Sequence, residues 1–480
     1  MRPGSNYAVG PLDVETGSRG PSLATGRTSR EGGWRGAWLE SSARHGLAGG
    51  SSFDLACALL LGVSVLLPGI VVLLDLPHSL ELIADLGSAA LVGWIVLILL
   101  MRRVPLAIPY VVLAYLVVVI AGSAIADDPA RTIVGLKNYM LLPALAIGLA
   151  SLAPSESRTR LLCLTALVLA GAQFVVSILQ SLTVPDIDLV VGTFGDWAGP
   201  SLAFAAVAGS CVALGAFAAR VPRSAAWLVV AIGLPLLSIW AALRIVPVEL
   251  PATGAAVAVA AWWAGRREEN RARRPAIVAG AAALTVVVLA VSYAVARPFD
   301  FQLFTDSQAR GVYLREATVV EDPDPNAGDR PIPGRGEQIR TTIEAVSGGV
   351  GSFALGHGVG ATSYAENLGV EQPTERSVAL AGYSEAGTLL YELGWLGVAL
   401  VAACGVALAL SAIAAAPLTE PGTWARALLI GYPGVVVAMA VGGFHGTPFR
   451  NIGSAILFWV LTGVALGWAL HVRRNQPPGA

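Results

Sequence analysis

Few side chains in this sequence could do chemistry. Two are suited to take a proton near neutral pH. Glu385 stands at the start of an apolar run, where burial would raise a carboxyl pKa toward that of a base, although a carboxylate there would also simply complement a helix dipole. His357 lies in the Gly356–Gly360 stretch GHGVG; its imidazole has a neutral form near pH 7, while the glycines around it predict a tight backbone turn. Thirty of the 31 basic residues are arginine, with Lys137 the lone lysine, so every other cationic site is permanently charged. Asp127 and Asp128 form an adjacent acidic pair that could face a metal or, before Pro129, make a turn. Asp196 and Trp197 could line a path for a ligand or begin a helix with Asp196 as its cap. Glu392 is the one clear charge within an apolar segment and is expected to make an internal hydrogen bond. Cys57, Cys163, Cys211 and Cys404 all fall in apolar segments and act as small apolar residues, with no metal cluster or disulfide framework.

The elements that carry these residues follow from composition. The chain has 480 residues, 55% hydrophobic and 13% charged, against about 25% charged in a soluble domain. That excludes a soluble enzyme. Taking about 20 residues per membrane span, the apolar segments run roughly 55–74, 86–101, 104–122, 138–153, 161–183, 201–219, 225–243, 250–265, 275–296, 387–413, 425–442 and 451–470. The expected fold is therefore all-α, an integral membrane bundle of about 12 transmembrane helices. The organisation reads as a disordered cytoplasmic tail at 1–52, nine spans in 53–296, a long extracytoplasmic loop at 297–385, three spans in 386–471 and a cytoplasmic tail at 472–480.

Charge placement supports the division, because short cytoplasmic loops collect arginine and lysine. With the tail and the long loop set aside, one side holds 14 basic residues and the other only Arg131, Lys137, Arg244 and Arg450; the short loops of that poorer side carry nine carboxylates. Both termini are expected to be cytoplasmic. Loops as long as 297–385 are usually functional or disordered. Within it, Ile339, Ile343 and Val346 recur at i, i+4 and i+7, which predicts an interfacial amphipathic helix over Arg335–Ser347. A formal net charge of −1 predicts no nucleic-acid partner. The short cytoplasmic loops leave no room for a nucleotide-binding domain, and neither a P-loop nor a dinucleotide fingerprint is present. The substrate must come through the membrane or from the outer compartment.

Four segments, in this order and spacing, resemble the O-antigen ligase and O-antigen polymerase superfamily of bacterial membrane proteins: GTFGDWAGPSLAFAAVA at 192–208, GRGEQIRTTIEAV at 334–346, FALGHGVG at 353–360 and YSEAGTLLYELGWLG at 383–397. The likeness runs from about residue 105 to the C-terminus. It implies a plasma-membrane glycosyltransferase that moves a glycan from an undecaprenyl-diphosphate carrier to an acceptor sugar hydroxyl, without metal, nucleotide or other cofactor. Its partners would be the lipid-linked oligosaccharide, the acceptor glycan, the bilayer and other polysaccharide assembly proteins. Such chemistry asks the protein to hold phosphates with arginine, position the acceptor and take one proton.

The resemblance places an essential outward arginine at Arg244 and another at Arg335 or Arg340; Arg450, in the last outer loop beside His445, is a weaker candidate for holding phosphate. Each also has a plain reading: Arg244 as a snorkelling side chain, Arg340 as the i, i+4 partner of Glu344, Arg450 as a helix anchor. Ligases carry a His-Asn pair where this chain has Tyr383 and Ser384, so the ligase histidine is absent. That favours a polymerase over a ligase and leaves Glu385 and His357 as substitute bases. Tyr383 could orient the acceptor or anchor the interface. The alternatives are a lipid or polysaccharide exporter, or an inactive scaffold of an assembly complex.

Overall fold

The computed structural model describes residues 51–74, 76–102, 110–183, 192–194, 199–242, 335–364, 370, 378, 381–382 and 384–475. Its elements are helical, with no β-strand among the described residues. In chain order they are α1 (Ser51–Leu73), α2 (Leu82–Arg102), α3 (Tyr110–Ala124), α4 (Pro129–Ser151), α5 (Glu156–Thr183), α6 (Gly199–Ala218), α7 (Ser224–Ala242), α8 (Arg335–Val346), α9 (Val350–Leu355), α10 (Glu385–Ala415), α11 (Trp424–His445) and α12 (Ile452–Arg474).

Eight of these are long and apolar enough to cross a membrane: α1, α2, α4, α5, α6, α10, α11 and α12. The chain is a multi-pass membrane protein. Two shorter apolar stretches, Tyr110–Ala124 and Ser224–Leu234, stand where the third and seventh spans are expected. The expected spans at 250–265 and 275–296 lie outside the described residues.

The core is built around α6, whose apolar window is buried on every side. A helix apolar all round belongs inside a bundle, and small residues let its neighbours come close. A Cβ on Gly215 would overlap the carbonyl of Ala427, and one on Gly431 would overlap that of Cys211, so α6 and α11 touch backbone to backbone. Leu59, Leu100, Val117, Val406 and Leu410 lie exposed on the outer helices, an apolar surface suited to lipid.

Hydrogen bonds sort the connections into two ends. At one end Glu156 caps α11, accepting from the backbone N–H groups of Trp424 (2.5 Å) and Ala425 (3.1 Å). There too Gly422 N donates to Ala219 O at 2.7 Å, and Trp468 Nε1 donates to Thr159 Oγ1 at 2.8 Å. Asp54 and Arg158 form a buried ion pair of 2.6 Å at the same end. At the opposite end Val359 N donates to Gly122 O, Glu385 N to Gly446 O and Gly69 N to Thr193 O, and Asn451 Nδ2 donates to Phe194 O at 2.7 Å. The helices alternate between these ends, and the first end gathers the residues around Arg158, Arg220, Arg223, Arg426, Arg473 and Arg474.

One boundary and one helix face differ from expectation. The fourth span begins at Pro129, earlier than 138, because Asp128 caps the helix, accepting from Ala130 N (2.9 Å) and Arg131 N (3.2 Å), with proline at N1. That settles the Asp127–Asp128 pair as a helix start. In α8 the inward face is Gln338, Thr342 and Val346, while Ile339 and Ile343 are half-buried. The expected apolar stripe is therefore rotated, because the helix packs on α10 through its small and polar side.

Candidate functional site

The second end of the bundle holds a buried polar cluster, and its frame is a kink in α10. Gly394 sits at φ +64 and ψ −170 inside the helix, a backbone state open essentially to glycine. The kink breaks the helical ladder for the carbonyls of Tyr391 and Glu392. Their partners come from the glycine stretch instead: His357 N donates to Tyr391 O at 2.7 Å and Gly358 N to Glu392 O at 3.2 Å. The two chains cross so closely that a Cβ on Gly394 would lie 2.5 Å from Ala354 O, and one on Gly356 would lie 2.5 Å from Tyr391 O. The GHGVG motif is thus a knuckle laid into the helix bend.

Beyond the knuckle the backbone turns around Glu392, whose side chain is fully buried. Gly360 N donates to its Oε2 at 3.1 Å; Thr362 N (2.8 Å) and Thr362 Oγ1 (2.6 Å) donate to its Oε1. Arg450 arrives from the α11–α12 connection. Its Nη1 donates to Thr362 O at 3.2 Å, its Nη2 to Thr362 Oγ1, and Nη2 lies 3.3 Å from Glu392 Oε1. Burial works against the Arg450 charge, but the carboxylates of Glu392 and Glu385 outweigh it and hold the guanidinium pKa above its ordinary value. On the other flank Arg131 pairs with Asp128 at 3.2 Å and points Nη1 at Ala361 O at 3.5 Å.

Glu385 is the first residue of α10, after the Ser384 cap, and is 3% exposed. The backbone N–H of Phe449 reaches its carboxyl group, yet Oε2 finds no partner among the described residues. Glu385, Leu389 and Glu392 fall at i, i+4 and i+7, one face of the helix. Tyr139 belongs to one buried apolar cluster with Leu389, Leu393 and Val359, and its buried hydroxyl is also without a partner among the described residues. It lies within electrostatic range of Glu392, Glu385 and Arg450. Its backbone belongs to a π-turn, Lys137–Leu141, within α4, and its carbonyl accepts from Tyr115 Oη at 3.2 Å. Such turns insert one residue into a helix and recur at functional sites. Ser363, next to Thr362, adds a second buried hydroxyl with no partner among the described residues.

The residues singled out in the sequence therefore fare differently. Glu385 and Arg450 come together. His357 is exposed; its ring stacks on Tyr391 at 4.5 Å and its Nε2 lies 3.3 Å from Ala345 O, contacts that tie α8 to the knuckle. Arg340 is exposed and pairs with Glu344 at 3.5 Å, the solvated-face arrangement. Arg335 opens α8, with its side chain outside the described set, and Arg244, Tyr383, Asp196 and Trp197 lie outside the described residues. Glu392 makes the internal hydrogen bonds expected of it.

Tyr139, Thr362 and Ser363 escaped the sequence reading. A tyrosine near an apolar segment reads as an interface anchor, and only a one-residue shift of the helical period, invisible in so apolar a stretch, marks it out.

Thr193 and Gly192 anchor the neighbouring turn: Thr193 Oγ1 donates to Val65 O at 2.6 Å, Thr193 N to Gln173 Oε1 at 2.7 Å, and Gly192 N to Gln180 Oε1 at 2.8 Å. Among the described residues no group of His, Cys, Asp or Glu side chains is arranged to hold a metal ion. No family model matches the chain, and no curated protein matches it.

Proposed function

We propose that the chain is a polytopic glycosyltransferase of the O-antigen polymerase/ligase type, acting at the outer face of the bacterial plasma membrane on a glycan carried by undecaprenyl diphosphate. The observation that carries this is Glu385: a buried carboxylate with one oxygen unengaged, beside a fixed guanidinium, at the arginine-poor end of the bundle. In this reading the acceptor hydroxyl oxygen attacks the anomeric carbon. The bond from that carbon to the diphosphate oxygen breaks, the lipid diphosphate leaves with the electron pair, and the hydroxyl proton passes to Glu385. Arg450 holds Glu392 and the Thr362 turn beside the base, and the leaving diphosphate needs arginine outside this cluster, for which Arg131 stands at the same end and Arg244 is the candidate from sequence.

Twelve spans with both termini cytoplasmic fit the alternation of the helices. α7 starts at the arginine-rich end and α10 starts at the opposite one, an arrangement compatible with the two further spans read from sequence at 250–265 and 275–296. Polymerase is preferred over ligase because the ligase histidine is missing.

The test is purified protein in detergent with lipid-diphosphate-linked oligosaccharide. Lengthening of the glycan is expected, reduced about 10²–10⁴-fold by Glu385→Gln, the usual worth of a positioned base. Transport across a liposome membrane at unchanged glycan length would replace the enzyme with an exporter. Neither activity would leave a scaffold.

A further inference from the structure

Resting on the glycosyl-transfer reading for the identity of its ligand, we propose that Tyr139, Ser363 and Glu385 form the subsite for an uncharged, hydroxyl-bearing sugar ring of the acceptor, and that the diphosphate binds outside it. Around the Glu392–Arg450 pair, which interacts with both Tyr139 and Glu385 and is held by Thr362 next to Ser363, three polar atoms, Tyr139 Oη, Ser363 Oγ and Glu385 Oε2, are buried without a partner among the described residues. A buried polar group without a partner is costly, and three together describe a surface that a ligand completes. Tyr139, Ser363 and Glu385 are 6%, 2% and 3% exposed, so water reaches none of them freely.

Their chemistry selects the ligand. Two hydroxyls can each donate and accept, and a carboxylate accepts; a sugar ring with adjacent hydroxyls offers the matching pattern. A diphosphate does not match. Glu385 and Glu392 set two carboxylates against the single charge of Arg450, and Arg450 is already engaged by Glu392 and Thr362. An anion placed here would meet a carboxylate oxygen at Glu385 with no free donor but hydroxyls.

The support is rigid. The Tyr115 hydroxyl holds the carbonyl of Tyr139, Tyr139 belongs to one buried apolar cluster with Leu389 and Val359, and Glu385 is tied at its own N–H by Gly446 O at 2.7 Å. Tyr139 accordingly acts as an acceptor-positioning residue that hands one hydroxyl to Glu385.

The test is saturation-transfer NMR on the full chain in nanodiscs, with N-acetylglucosamine, galactose and rhamnose as neutral probes and inorganic pyrophosphate as the charged one. At least one neutral sugar is expected to bind saturably. Tyr139→Phe and Glu385→Gln should each weaken it five- to tenfold, Glu420→Gln at the opposite end should not, and pyrophosphate should not displace it. Tyr139→Phe keeps the ring, and its folding is checked by detergent unfolding. Binding that survives both substitutions, displacement by pyrophosphate, or no sugar binding at all would overturn the subsite. The outcome is separable from the reaction itself: glycan lengthening with an unchanged acceptor KM in Tyr139→Phe would sink the subsite and leave the transferase standing.

Discussion

Glu392 offers the sharpest test of the architecture. Its carboxylate accepts from Gly360 N, Thr362 N and Thr362 Oγ1 and pairs with Arg450, all in a setting where Glu392 itself is fully buried. Replacing it with Gln keeps the volume and one acceptor oxygen, which can still serve Thr362. The amide nitrogen, however, meets the Gly360 N–H donor to donor, leaving that group unsatisfied at a cost of about 1–3 kcal/mol. The Arg450 guanidinium, only 16% exposed, also loses the larger of its two counter-charges; breaking a buried pair from one side costs about 3–5 kcal/mol. These two losses belong to one coupled network around a single side chain and do not simply add, so Glu392→Gln is expected to destabilise by about 3–5 kcal/mol. Arg450→Gln removes the charge but leaves the carboxylate its three hydrogen bonds, and a smaller loss of about 2 kcal/mol follows from the same considerations. The double substitution should then cost less than the sum of the singles by about 0.5–3 kcal/mol, the coupling expected of residues in one network. The assay is reversible SDS unfolding in mixed micelles, followed by tryptophan fluorescence. Additive losses, or a loss below about 1 kcal/mol for Glu392→Gln, would refute the claim that this ion pair organises the site.

Gly394→Ala should destabilise by at least about 1–3 kcal/mol from backbone strain alone, and by more from overlap with Ala354 O at 2.5 Å; the same unfolding assay reads it, and a neutral outcome would mean that the α10 kink is absent. Arg340→Gln should change stability by less than about 0.5 kcal/mol, the worth of an exposed i, i+4 pair, while a large loss of glycan lengthening would return Arg340 to the phosphate site. Asp54→Asn should cost about 3–5 kcal/mol by stranding the buried Arg158, with the acceptor KM of the surviving folded protein unchanged, because that pair sits at the opposite end.

What the sequence determined by itself is the part of the molecule governed by local free energy. Transfer of an apolar segment into lipid is a sum over neighbouring residues, so the described helices are where hydropathy puts them, and the arginine bias marks one end. Even the Pro129 start was written locally, in an aspartate followed by proline. The glycine stretch around His357 announced a tight turn, and Glu392 announced a hydrogen bond, because an isolated charge in an apolar segment has few other options. The partners were not local. Arg450 ranked below Arg244 and Arg340 on sequence, yet the turn after α11 carries it to Glu392, while the rotation of α8 leaves Arg340 in solvent. His357 had the chemistry of a base, but its exposed ring is occupied in joining α8 to Tyr391. Tyr139 had no signal beyond being a tyrosine, since the π-turn that seats it shifts one residue in a stretch where almost every position is apolar. Only packing brings α4, the turn at Gly360–Thr362, the start of α10 and the α11–α12 connection to one end of the bundle, and an ion pair or a shared subsite between such distant segments has no period or spacing by which a single sequence could declare it.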